Sequence, residues 1–115
     1  MSAESEMRVA VVDLRLRIER AATGAVVDSF DSKGHVVEQN RIGARLAFVF
    51  VAYKDVLPLP ELFGLVRLTR HIYRRSSDVL HGRSNMVNFS PVLLDEWRIV
   101  VERLEDLGRK KANRD

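Results

Sequence analysis

Between Pro60 and Ser84 runs a segment in which Leu62, Leu65, Val66, Thr69, Ile72, Tyr73, Ser76, Val79 and Leu80 recur every three or four residues. That spacing is the period of an α-helix with one buried face. Pro60 suits the first turn, where its missing N–H is not needed, and Glu61 complements the positive helix end. Gly82, just past the last apolar pair, is the expected stop. A long helix of this kind gains most of its stability by covering its apolar stripe, so the rest of the chain must supply matching faces.

Three other segments carry such faces. From Glu6 to Ala22, the positions Met7, Val11, Leu14, Ile18 and Ala21 form a helical stripe. Val12 to Ile18 also alternates like a strand, but the stripe runs longer and Gly24 closes it. Residues 1–5 read as a frayed lead-in with Ser5 as a cap. A helix from Arg41 to about Val56, capped by Asn40, has the stripe Ile42, Leu46, Val49, Phe50 and Tyr53. Phe48, Val51 and Ala52 broaden it until it is apolar most of the way round, which marks a central helix or a subunit interface. Pro58 and Pro60 then force extended backbone before them and fold the next helix back as a hairpin.

Ser90-Pro91 is a hydroxyl cap followed by proline at the first helical position. The last helix carries Val92, Leu93, Trp97, Val100, Val101, Leu104 and Leu107, and Gly108 ends it, leaving 109–115 as a frayed tail. Residues 23–40 fit either a small hairpin, with turn chemistry at Asp31-Ser-Lys-Gly34, or a loop with a helical turn. The expectation is an all-α bundle of four to five helices forming one domain over all 115 residues.

Composition narrows the chemistry. There are no cysteines, which removes disulfide scaffolds, thiolate zinc sites and cysteine nucleophiles. No uncharged apolar run approaches the roughly 20 residues of a membrane span, and the N-terminus lacks a basic-then-apolar leader. A cytoplasmic protein without a membrane partner is expected. There is no Gly-rich phosphate loop, no histidine pair at a metal-ligand spacing with carboxylates and no Gly-x-Ser-x-Gly elbow, so neither cofactor nor metal is expected. Asp95, Glu96, Glu102, Glu105 and Asp106 read as solvated-face charges. The net charge of +3 raises the prior for an anionic partner.

At about 100° per residue, Arg67, Arg70, Arg74, Ser77, Asp78 and His81 share one edge of the long helix. An imidazole can move protons near neutral pH, and an arginine can hold a phosphate or stabilise its developing charge. Together they suit metal-free cleavage of RNA, in which the 2′-hydroxyl is the internal nucleophile. The same residues also fit a solvated arginine face with a histidine at the helix end.

The segment Ile72-Tyr-Arg-Arg-Ser-Ser-Asp-Val-Leu-His-Gly-Arg83 resembles the signature of the HEPN superfamily (higher eukaryotes and prokaryotes nucleotide-binding domains), small helical bundles in which a late helix carries Arg, four to six residues, then His. Tyr73, Ser77, His81 and Gly82 match the common form Tyr-x-x-Arg-Ser-x-x-x-His-Gly in register. The arginine of that form falls at Ser76, and Arg75 and Arg74 restore the pair at the five- and six-residue spacings. The resemblance implies a homodimeric, metal-independent endoribonuclease whose two copies line one cleft with Arg74 or Arg75 and His81. Of the two, Arg74 shares the face of His81. His81 would be the general base or acid, the arginine would bind the scissile phosphate, and Ser77 and Asp78 would orient them. Arg67, Arg70, Arg83 and Asn85 are the candidates for further RNA or nucleotide contacts. Some members of the family are toxins held by an antitoxin protein, and others are inert dimerisation or nucleotide-binding modules.

Two rivals follow from the residues themselves. One is a non-catalytic interaction module that uses the apolar helix 41–56, with Phe48, Phe50 and Tyr53, as a dimer or partner surface. The other is DNA binding through the arginine helix, which lacks a clear recognition-helix partner and turn.

Overall fold

The structure, a computed structural model, describes residues 2–29, 41–81 and 90–114. The regular structure among them is entirely α-helical: α1 (Ala3–Ser29), α2 (Ile42–Leu46), α3 (Phe48–Tyr53), α4 (Leu59–Leu80) and α5 (Pro91–Arg114). The short α2 and α3 form one arm bent at Ala47, so the bundle has four helical layers. The bend has a local cause. Ala47 N–H donates to Ala44 O at 3.2 Å and Phe50 N–H to Ala47 O at 3.3 Å, three-residue bonds that tighten the turn.

The stripes meet as the sequence expects. Val11, Leu14 and Ile18 of α1 pack with Ile72 and Val79 of α4 and with Leu94, Trp97 and Val101 of α5. Ala22 and Ala25 pack further along with Leu62, Leu65, Val66, Leu104 and Leu107, together with Leu46, Val49, Ala52 and Tyr53 from the bent arm. This register makes α4 antiparallel to α1 and α5 parallel to it. The polar members of the α4 stripe are satisfied locally. Thr69 Oγ1 donates to Leu65 O at 2.8 Å and Ser76 Oγ to Tyr73 O at 2.7 Å. None of the buried side-chain N or O atoms among the described residues lacks a partner. No helix among the described residues is long and apolar enough to cross a membrane.

Several boundaries differ from the expectation. Helix α1 begins at Ala3, not after residue 5, and the cap is Ser2, whose Oγ accepts from Ser5 N–H at 3.1 Å. The same helix runs through Gly24 to Ser29, so residues 23–29 are neither hairpin nor loop. A mid-helix glycine costs about 1 kcal/mol relative to alanine. Against it stand the burial of Ala25 and a set of tertiary bonds, each contributing about 1 kcal/mol. The single Ser29 hydroxyl proton is shared between Ala25 O of its own helix at 2.7 Å and Phe48 O of α3 at 3.1 Å, and Tyr53 Oη donates to Asp28 Oδ2 at 2.8 Å.

Gly108 likewise fails to end α5, which continues to Arg114. There Lys111 Nζ donates to Asp28 O at 2.8 Å and to Ala52 O at 2.9 Å. The arm preceding α4 starts behind Arg41, which makes no side-chain cap, and its helix ends at Tyr53 rather than Val56. Val92 is 65% exposed instead of joining the α5 stripe. The expected stop at Gly82, the cap at Asn40, the Asp31–Gly34 turn, Arg83 and Asn85 lie outside the described residues.

Candidate functional site

Helix α4 is unbroken from Leu59 to Leu80, with Pro58 at its N-cap and His81 at its C-cap. Its inner face is Leu62, Leu65, Val66, Thr69, Ile72, Ser76 and Val79, all buried. The opposite face therefore points outward, and Arg67, Arg70, Arg74, Arg75 and His81 are all exposed. Ser77 and Asp78 are half-buried. Of these arginines, Arg70 is tied to the bent arm, donating from Nη2 to Gly43 O at 2.9 Å. Arg67, Arg74 and Arg75 form no ion pair or hydrogen bond with a described residue.

Two adjoining hollows lie along this face. The larger, about 560 Å³, runs from Phe50 and Phe63 at one end past Arg67, Arg70 and His71 to Arg74. Among the described residues no carboxylate lines it. The smaller, about 350 Å³, is bordered by Ile42, Gly43, Tyr73, Ser77 and Asp78, and shares Arg70 and Arg74 with the first. The structure thus brings Arg67, Arg70 and Arg74 together in one cationic groove and places Ser77 and Asp78 beside Arg74. Arg75 and His81 line neither hollow.

The two arginines named as partners of His81 are distinguished by angle. Seven residues bring Arg74 to within about 20° of His81 around the helix, whereas six leave Arg75 about 120° away. Along the axis, Arg74 and His81 are about 10 Å apart. One chain therefore aligns them on a face without placing them in contact. His81 N–H donates to Ser77 O at 2.9 Å, so its backbone completes the last turn while the side chain stays in solvent.

At Ser76, where the family form carries arginine, the residue is fully buried and a guanidinium arrives from another helix. Arg15 Nη1 of α1 donates to Ser76 Oγ and to Tyr73 O, each at 2.9 Å, and its guanidinium carbon sits 4.0 Å from the Tyr73 ring centroid. Tyr73 Oη in turn donates to Glu19 Oε1 at 2.7 Å. Burial raises the Tyr73 hydroxyl above the ordinary tyrosine value, and the bond to Glu19 adds to that shift. This network joins α1 to α4.

Of the aromatic pair at the far end of the groove, Phe50 belongs to the stripe read from sequence and Phe63 was not singled out. Phe63 stands four residues before Arg67, on the same edge of α4, and a phenylalanine on the polar edge of an amphipathic helix is the signal that marks it. On the bent arm, Tyr53 is buried inside the chain and Phe48 packs against the core. The aromatic surface on which an interaction role for residues 41–56 relied is therefore largely used within the chain. Among the described residues no three His, Cys, Asp or Glu side chains gather into a group that could hold a metal ion. Compared with protein-family models, curated proteins and solved structures, the chain finds no match.

Proposed function

We propose that this chain is an HEPN-like RNA-binding domain that cleaves RNA without metal, as a homodimer, through Arg74 and His81. The observation that carries the reading is the row of Arg67, Arg70 and Arg74 in a groove with no carboxylate among its described lining residues, ending on the face that bears His81. Arginines held outward, with no ion pair to a described residue, are suited to phosphates, which they bind as charge-assisted pairs.

In the reaction, the 2′-oxygen attacks the adjacent phosphorus as the bond from phosphorus to the 5′-oxygen breaks. The products are a 2′,3′-cyclic phosphate and a 5′-hydroxyl. One imidazole takes the 2′-hydroxyl proton and another returns a proton to the leaving oxygen, while Arg74 holds the charge on the phosphoryl oxygens. The roughly 10 Å between Arg74 and His81 along one helix is the reason for a dimer: a second copy supplies the missing partner from across the cleft.

The test is incubation of wild type, Arg74→Ala, Arg75→Ala and His81→Ala with total RNA in EDTA. Loss of cleavage in Arg74→Ala and His81→Ala, with Arg75→Ala still active, is the expected result. A folded wild type that binds RNA but leaves it intact removes the enzymatic half of the reading.

A further inference from the structure

Phe63 is 61% exposed, although α4 has a buried face available for apolar side chains. A single solvated phenylalanine is ordinary, but this one has company. The Phe50 ring of α3 lies against it, centroids 4.6 Å apart and planes inclined at 45°. The pair closes one end of the groove of about 560 Å³, a volume within the roughly 300–1,000 Å³ range of small-ligand sites. Gly64 lines the same groove, and a Cβ built on it would meet nothing within 4 Å beyond its chain neighbours. From Phe63, the residues on the same edge are Arg67, Arg70 and Arg74, which extend over about 16 Å of helix axis.

Resting on the RNA-binding reading, we infer that this groove is a subsite for single-stranded RNA, in which a base stacks on Phe63 and the adjoining phosphates lie on Arg67, Arg70 and Arg74. The two chemistries match the two parts of a nucleotide. Every base has a π-face that an aromatic ring can receive whatever its sequence, and the backbone supplies the anions. Duplex RNA cannot offer an unstacked base, so the ring selects single strands. Three guanidinium groups, with no carboxylate among the described residues of the walls, make a neutral apolar segment a poor occupant, because its arrival would strip water from the arginines without replacing it.

The experiment measures fluorescence anisotropy of two labelled 2′-O-methyl oligomers, which cannot be cut: a short uridine oligomer and an abasic one of equal length. Wild type, Phe63→Ala, Phe63→Leu and Arg67→Ala are each titrated over a range of salt. Phe63 is exposed, so circular dichroism of its variants should match wild type. The expected result is that both Phe63 variants weaken uridine binding by about 5- to 150-fold and leave abasic binding unchanged. Arg67→Ala should weaken both oligomers and flatten the slope of log K against log salt by about 0.7. If Arg67→Ala weakens binding while both Phe63 variants bind as wild type, the subsite is wrong and the RNA-binding reading stands. If Phe63→Leu keeps full affinity and only Phe63→Ala loses it, apolar bulk rather than ring stacking is at work, and the subsite is again wrong. A Phe63→Ala variant that loses self-association in sedimentation, with RNA affinity intact, assigns the surface to a second copy and overturns the inference. A wild type that binds neither oligomer overturns the RNA-binding reading and the subsite together.

Discussion

The arginines of α1 and those of α4 have the same side chain and opposite employment. Arg15 is enclosed by Tyr73 and Ser76, with two hydrogen bonds and a ring beneath it. Arg17 forms a two-point pair with Glu105 at 2.6 and 3.1 Å, and that pair, first among several causes, raises the guanidinium above its ordinary value. On α4, Arg67 and Arg74 stand in a groove with no described partner. The difference teaches where to look in a basic helical protein. Guanidinium groups enclosed by their own chain hold helices together, and exposed ones aligned on a face, with donors to spare, are available to a ligand.

That contrast is sharpest in function. Arg74→Ala and His81→Ala should each lower RNA cleavage by at least about 100-fold, read by gel, while their urea unfolding curves shift by no more than about 0.5 kcal/mol. In stability the order reverses. Arg15→Ala removes two hydrogen bonds and the contact with the Tyr73 ring, and should cost about 2 kcal/mol in urea unfolding. Arg17→Ala, at a pair only partly shielded from water, should cost about 1 kcal/mol. If Arg74→Ala destabilises the fold as much as Arg15→Ala does, the division between structural and available arginines fails.

A smaller effect concerns pH. Tyr53 and Tyr73 both have hydroxyls raised above the ordinary value of 10, each mainly by burial and next by a carboxylate acceptor. Between that value and the raised one, the unfolded chain has lost protons that the folded chain retains, so stability falls as pH rises. Melting temperature should therefore decline above about pH 10, and Tyr53→Phe should lessen the decline. The smallest expected change is a gain. Gly24→Ala, whose new Cβ meets nothing within 4 Å, should stabilise α1 by about 0.5–1 kcal/mol in the same urea measurement, without touching either set of arginines.

How much was legible in the sequence depends on whether a signal was periodic or singular. The α4 stripe from Leu62 to Val79 was read correctly except that Tyr73 is only half-buried, because a buried face repeats and the period averages over exceptions. Boundaries depend on single residues, and there tertiary contacts override local preference. Gly24 and Gly108 look like stops, yet both helices run through them. Ser29, Tyr53 and Lys111 supply bonds beyond each glycine that outweigh its propensity. The outward row Arg67, Arg70 and Arg74 was equally visible as a period. Arg15, 61 residues from Ser76, was not, because nothing in local spacing announces a partner on another helix. Phe63 went unmarked for a related reason: an isolated apolar residue on a polar edge acquires meaning only once Phe50 is seen beside it.

Lys111 makes the last turns of α5 a fastening for parts of the molecule far away in sequence. Its ammonium group holds the carbonyl of Asp28 near the end of α1 and that of Ala52 near the end of α3. Trimming the chain after Gly108, or crowding that turn with a fused tag, would therefore act on three helices at once. Anyone producing the protein should place an affinity handle at the opposite terminus, and should treat a shortened C-terminal form as a different material rather than a cleaner one.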